Sequence, residues 1–183
     1  MQTPKIIVPI ADGSEEMEAV IIIDILRRAG FNTVCAAIGN TKTITASRNV
    51  IITADALWNE IDPADFDALI LPGGAVGTDN LMQSQSLLQA LQDFNRQKKL
   101  IGAICAGPLV LQAAGILQNR TATCHPAVSE KLTAAEYSRN RIVHSENIIT
   151  SQGPGTAMEF ALAIITKLAG SLAAEKTAAG LVL

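Results

Sequence analysis

The chain has 183 residues, 49% of them hydrophobic and only 17% charged, with a formal net charge of −3. Such a length is most simply one domain, residues 1–183, able to bury a core of its own, and so low a charge content predicts that a second copy covers part of the surface. Basic residues are no denser than the pairs Arg27-Arg28 and Lys98-Lys99, and apolar runs are too short to span a bilayer, so neither nucleic acid nor a membrane is an expected partner.

The amino terminus, MQTPKIIVPI, lacks a basic region followed by an extended apolar segment, and a cytoplasmic protein is expected. Lys5 to Ile10 reads as a strand, Glu15 to Ala29 as a helix closed by Gly30, and Asn32 to Ile38 as the next strand. Thr43 to Ala46 and Val50 to Ala54 are short strands around Ser47-Arg48. Asp67 to Leu71 is a buried strand that runs into Pro72-Gly73-Gly74, and Ser84 to Gln97 is an amphipathic helix. Leu100 to Ile104 is apolar throughout, as expected of a parallel strand covered on both faces, and Ala106 to Ala114 should be a helix starting directly after Cys105. Further strands are expected near Arg120 to Thr123, Arg141 to His144 and Ile148 to Ser151. Thr156-Ala-Met-Glu159 has the spacing of a capping box opening the next helix, and a last helix covers Ser171 to Ala179. Short β-rich runs alternating with helices predict one α/β layer structure.

Three cysteines, Cys35, Cys105 and Cys124, are odd in number and lack C-x-x-C spacing, which fits neither a disulfide framework nor a zinc site. Cys105 ends a strand with small residues two before and two after it, Ala103 and Gly107. That is the pattern of a nucleophile elbow, where a tight strand-to-helix turn exposes the side chain and the helix amino terminus favours a thiolate. A small buried hydrophobe satisfies the same stretch, because free cysteine is often fully buried.

Glu18 shares a helix face with Ile22, Ile25 and Ala29, so its carboxyl belongs to an apolar stripe and would exchange protons near neutral pH if buried there. Glu15, which precedes Ala19, Ile22 and Leu26, is an equal candidate on periodicity, and either could instead be a capping or snorkelling acid. The bare amides of Gly73-Gly74 could stabilise an oxyanion. His125, in the loop Cys124-His125-Pro126, is a plausible base if it lies within reach of a thiol and is otherwise a structural histidine.

Taken in order, Gly13-Ser-Glu-Glu-Met-Glu18, Ala46-Ser-Arg48, Leu71-Pro-Gly-Gly74, Ala103-Ile-Cys-Ala-Gly-Pro108, Thr123-Cys-His-Pro126 and Ser151-Gln-Gly-Pro-Gly-Thr-Ala-Met-Glu-Phe160 resemble the ThiJ/PfpI superfamily, in the branch of the DJ-one and ThiJ/YajL proteins. The resemblance implies a flavodoxin-like α/β sandwich, with a mostly parallel sheet between helices, in a homodimer. It implies Cys105 as nucleophile, Glu18 as its protonated partner, backbone amides of Gly74 and Ala106 as an oxyanion hole, His125 beside the pocket, and Arg48 near the dimer interface. Members with a peptidase-like site carry a histidine directly after the cysteine. Here that residue is Ala106, so peptidase or amidotransferase activity ranks low. The expected activity is a cofactor-free, metal-free glyoxalase or deglycase acting on small dicarbonyls such as methylglyoxal. The alternative is an oxidative-stress sensor or protective chaperone that works through oxidation of Cys105.

Overall fold

The computed structural model describes residues 3–183. Its strands and helices follow in the order β1 (Lys5–Ile10), α1 (Glu16–Arg28), β2 (Asn32–Ala37), β3 (Thr43–Thr45), β4 (Ile51–Thr53), β5 (Ala56–Leu57), β6 (Ala68–Leu71), α2 (Ala75–Gln83), α3 (Gln85–Arg96), β7 (Leu100–Ile104), α4 (Pro108–Ala113), β8 (Thr121–Ala122), β9 (Glu136–Tyr137), β10 (Ile142–Ser145), β11 (Ile148–Ser151), α5 (Ala157–Ala169) and α6 (Ser171–Gly180). The main sheet has seven strands in the order β10-β11-β7-β6-β1-β2-β5. Every pairing in it is parallel except β10 with β11.

The strand sequences explain why helices cover both faces. Along β1, Ile6, Val8 and Ile10 enter the core on one side and Ile7 the core on the other; along β6, Ala68 and Ile70 alternate in the same way with Leu69 and Leu71. With no polar face to offer water, such strands are stable only between two layers. Residues of α1, α5 and α6 fill the first core, and residues of α3 and α4 the second. Chain order runs outward from β1 through β2 to β5, then returns past β1 to β6 and β7. The loops after β1 and β6 therefore part at the carboxyl edge of the sheet, the position at which open α/β sheets build their sites.

Several expected elements differ. The helix after Cys105 begins at Pro108 and has six residues; Cys105, Ala106 and Gly107 form the turn before it. The strand expected at Arg120 to Thr123 shortens to β8, which pairs with β9 in a separate two-stranded sheet. Thr156 precedes α5 but its hydroxyl caps nothing there, because it is engaged by Gly153 and Ser151, and Glu159 pairs with Arg141 instead. Helix α2 was not legible: Gly77, Thr78, Asp79 and Asn80 are poor helix formers. Tertiary packing overrides that weak propensity, since a Cβ on Gly77 would stand 2.4 Å from the Ser14 backbone nitrogen. No helix among the described residues is long and apolar enough to cross a membrane.

Candidate active site

Three acids at the amino end of α1, Glu15, Glu16 and Glu18, have three different environments. Glu15 is the N-cap, its carboxylate accepting from the Glu18 backbone N–H at 2.8 Å. Glu16 turns toward the β3–β4 hairpin, accepting from the Ser47 hydroxyl at 2.6 Å and the Arg48 backbone N–H at 2.7 Å. Glu18 points inward and is 0% exposed. One of its oxygens, Oε2, accepts from the Gly73 backbone N–H at 2.7 Å, while Oε1 has no aligned hydrogen-bond partner. The structure therefore resolves the choice left open by periodicity: Glu15 is spent on the helix terminus and Glu18 is the buried carboxyl.

Burial pushes the Glu18 carboxyl up from 4.5 to about 7, against the lowering pull of the Gly73 N–H and of the nearby Cys105 thiol. Cys105 couples to this carboxyl although its sulfur lacks the alignment of a formed hydrogen bond to Oε1. It occupies the strand-to-helix turn at φ 63°, a left-handed conformation that is uncommon for a residue with a side chain. Its backbone is fixed on both sides: its N–H donates to the Ser151 carbonyl at 3.0 Å, and its carbonyl accepts from the His125 N–H at 2.9 Å. Burial and then the Glu18 charge push the thiol up to about 12, and the backbone N–H groups of Gly74 and Ala106 pull the other way. The expectation of a thiolate favoured by a helix terminus is thus corrected. The helix is short and starts three residues later, and the nearby groups that favour the thiolate are these two amides.

Gly73 makes the arrangement possible, whereas the resemblance implies a role for its neighbour Gly74 alone. A Cβ at this position would lie 2.6 Å from Cys105 Cβ, 2.9 Å from the Ala106 nitrogen and 2.9 Å from Glu18 Oε2. Only a residue without a side chain lets the carboxyl and the thiol meet across the loop after β6. Gly73→Ala is expected to force Glu18 and Cys105 apart, which alkylation kinetics of Cys105 will register as a change of rate and pH profile in a protein that has lost stability.

His125 and Arg48 are placed differently. The His125 imidazole is half-buried and its Nδ1 accepts from the Ala127 N–H at 3.2 Å, capping the short 3-10 turn that begins at Pro126. With the Nδ1 lone pair used, the neutral ring carries its proton on Nε2 and presents a donor. His125 lines a cleft of about 230 Å3 with Gln152, Gly153, Pro154 and Arg141. Arg48 lies exposed at the tip of the β3–β4 hairpin, bordering a second cleft of about 400 Å3 with Asp12, Gly13 and Ala75. Its guanidinium bonds the Ser47 carbonyl at 3.2 Å. Cys35 and Cys124 are buried at 4% and 0% exposure, and burial raises both thiols. Among the described residues no group of three or more His, Cys, Asp or Glu side chains is arranged to hold a metal ion.

A buried carboxyl and a thiol separated by a glycine, with two amides at the sulfur, form an arrangement suited to proton exchange at a nucleophile. Residues 4–167 match the DJ-1/PfpI family model. Protein DJ-1 homolog B of Arabidopsis thaliana is 47% identical over 169 residues, which cover 92% of this chain but 39% of the plant protein, so the chain spans well under half of that relative. The glutathione-independent glyoxalase DJR-1.2 of Caenorhabditis elegans is 37% identical over 168 residues, covering 91% of this chain and 87% of the nematode protein. The structure of oxidized Toxoplasma gondii DJ-1 superposes with a TM-score of 0.95 at 40% identity and 98% coverage of both chains. With the doubly covered sheet, the turn at Cys105 and the buried Glu18 all in place, this chain belongs to the DJ-1/PfpI family.

Proposed function

We propose that this protein is a glutathione-independent glyoxalase, or a closely related deglycase, that converts small dicarbonyls such as methylglyoxal with Cys105 as nucleophile and Glu18 as proton carrier. The observation that carries the reading is the Glu18 carboxyl, fully buried, held up to about 7 and facing the Cys105 thiol across Gly73. The nematode relative named as a glyoxalase supports the same chemistry.

Between the titrations of the two groups the pair holds a single proton, and sulfur attack uses it. As the Cys105 sulfur bonds to the aldehyde carbon, the thiol proton passes to the Glu18 carboxylate and from there to the former carbonyl oxygen, giving a hemithioacetal. Glu18 then removes the hydrogen of that carbon as a proton, the ketone oxygen takes up the hydroxyl proton of the hemithioacetal as the enediol forms and collapses, and Glu18 returns its proton to the former ketone carbon. The product of this transfer is a thioester of lactate, which water cleaves to lactate and free thiol. Neither an oxidant nor a metal enters the balance. The amides of Gly74 and Ala106 are the donors available to developing negative charge, and the His125 Nε2–H is the donor available to the second oxygen.

The test is formation of lactate from methylglyoxal by catalytic amounts of protein, without glutathione, in amine-free buffer. Product in excess of protein is expected. Stoichiometric consumption with accumulation of oxidised Cys105 would instead favour the sensor reading. In the same preparation, limiting iodoacetamide should label Cys105 first, because the other two sulfurs are buried; peptide mass spectra showing preferential labelling of Cys35 or Cys124 would contradict the site.

The homodimer belongs to the same proposal. Met17 and Val20 on α1 and Val50 and Ile51 at the hairpin are exposed apolar residues of the kind a second copy would cover. Light scattering at micromolar concentration should report a dimer, and Ile51→Glu should shift it toward monomer.

A further inference from the structure

We propose that Thr156 is a positioning residue: through a buried chain of hydroxyl groups it fixes Gly153 beside the His125 imidazole and so orients the Nε2–H in the cleft that these residues line together. The inference deepens the reading above, in which His125 is a hydrogen-bond donor, and it rests on that reading for its kinetic consequence only.

The two hydroxyls tie the loop to the strand from the inside. The Gly153 N–H donates to Thr156 Oγ1 at 3.1 Å, Thr156 Oγ1 lies 2.6 Å from Ser151 Oγ, and Ser151 Oγ lies 3.0 Å from the Arg141 carbonyl. Two arrangements of the two hydroxyl protons fill the chain: Ser151 donates to Arg141 and Thr156 to Ser151, or Thr156 donates to the Gly153 carbonyl at 2.9 Å and Ser151 to Thr156. Ser151 and Thr156 are 0% and 4% exposed, so water cannot replace a missing member. The loop is anchored on its outer side as well, by Arg141 donating to the Gly155 carbonyl at 2.9 Å and to both Glu159 oxygens.

The loop backbone runs beside the histidine, and the two line one cleft. A Cβ at Gly153 would come within 3.2 Å of His125 Cδ2, the ring carbon bonded to Nε2. Among the described residues the imidazole's one side-chain hydrogen bond is that from the Ala127 N–H to Nδ1 at 3.2 Å. Loss of the Thr156 hydroxyl leaves the Gly153 N–H without its acceptor while the outer bonds of the loop persist, so Gly153 shifts locally and the imidazole edge beside it is less closely fixed. The Ser151 carbonyl, which accepts from the Cys105 N–H, belongs to the strand and is retained, so thiol placement and histidine placement are separable.

Thr156→Val keeps the shape and removes the hydroxyl; Thr156→Ser keeps the hydroxyl. Gly153→Ala leaves the hydroxyls in place but pushes on the ring, and its extended backbone at φ 165° accepts alanine. Long-range 1H–15N spectra at alkaline pH resolve the tautomer of each imidazole, and the only other histidine, His144, is the internal reference. Wild type and Thr156→Ser should show His125 as a single Nε2–H tautomer, whereas Thr156→Val and Gly153→Ala should shift its signals toward a mixture. For methylglyoxal, Thr156→Val should lose about tenfold in kcat, with the rate of Cys105 alkylation unchanged. Unaltered His125 signals in folded Thr156→Val, or equal disturbance by Thr156→Ser, would overturn the assignment. If Thr156→Val fails to fold, Gly153→Ala decides it alone, an unmoved His125 again refuting it. Because the spectra need no substrate, absence of turnover in wild type would refute the glyoxalase reading without touching this one.

Discussion

Cys105→Ala is expected to abolish lactate formation from methylglyoxal, a loss of at least about 10³-fold, in a protein that still melts cooperatively near the wild-type temperature. The backbone at φ 63° is no worse for alanine than for cysteine, since both carry a Cβ, and the sulfur is only half-buried. The variant has a second signature. The thiol is one of the influences that lower the Glu18 carboxyl, so its removal should carry that group above about 7, where it would be followed by the carboxyl carbon resonance in a 13C-labelled sample. Undiminished turnover by folded Cys105→Ala would exclude the mechanism.

Glu18→Gln should reduce turnover about 10²- to 10³-fold, the usual contribution of a positioned acid–base group. The side-chain carbonyl of glutamine can still accept from the Gly73 N–H, so the fold is retained while the proton carrier is lost. In wild type, alkylation and turnover should rise with pH through about 7, as Glu18 releases its proton and can receive that of the thiol. Glu18→Gln removes that limb, leaving reactivity to follow ionisation of the thiol itself at higher pH.

Stability should move in the opposite direction to activity. The folded Glu18 holds its proton more tightly than the unfolded chain does, from 4.5 to about 7, so the native state binds more protons across that interval and wild type loses stability as pH rises through it. At about 1.4 kcal/mol for each tenfold change in proton affinity, the loss amounts to about 3 kcal/mol. Denaturant melts at pH 5 and pH 8 should therefore show wild type falling relative to Glu18→Gln. Parallel behaviour of the two proteins would mean that the carboxyl is not held in its protonated form by burial.

Much of this was legible in the chain itself. The uninterrupted apolar runs of β6 and β7 demand cover on both faces, and their alternation with helical segments predicts the layered parallel sheet. Small residues around Cys105 and acids on the apolar stripe of α1 mark candidates for a reactive site, because local sterics and helical period are properties of sequence, and the family resemblance narrows them to Cys105 and Glu18. Other features depend on contacts between segments far apart in the chain. The sequence spacing of Glu15 and Glu18 cannot say which one caps and which is buried; that is decided when Gly73, 55 positions beyond Glu18, brings its N–H to the carboxyl. Helix α2 forms against weak propensity because Ser14 needs a glycine opposite it, and the Thr156 hydroxyl leaves its capping role because Ser151 and Gly153 offer it buried partners. Periodicity reports which face of an element is apolar. Which polar atom meets which, and hence where a proton is held, follows only once the packed sheet brings the ends of β1, β6, β7 and β11 to one edge and removes water from between them.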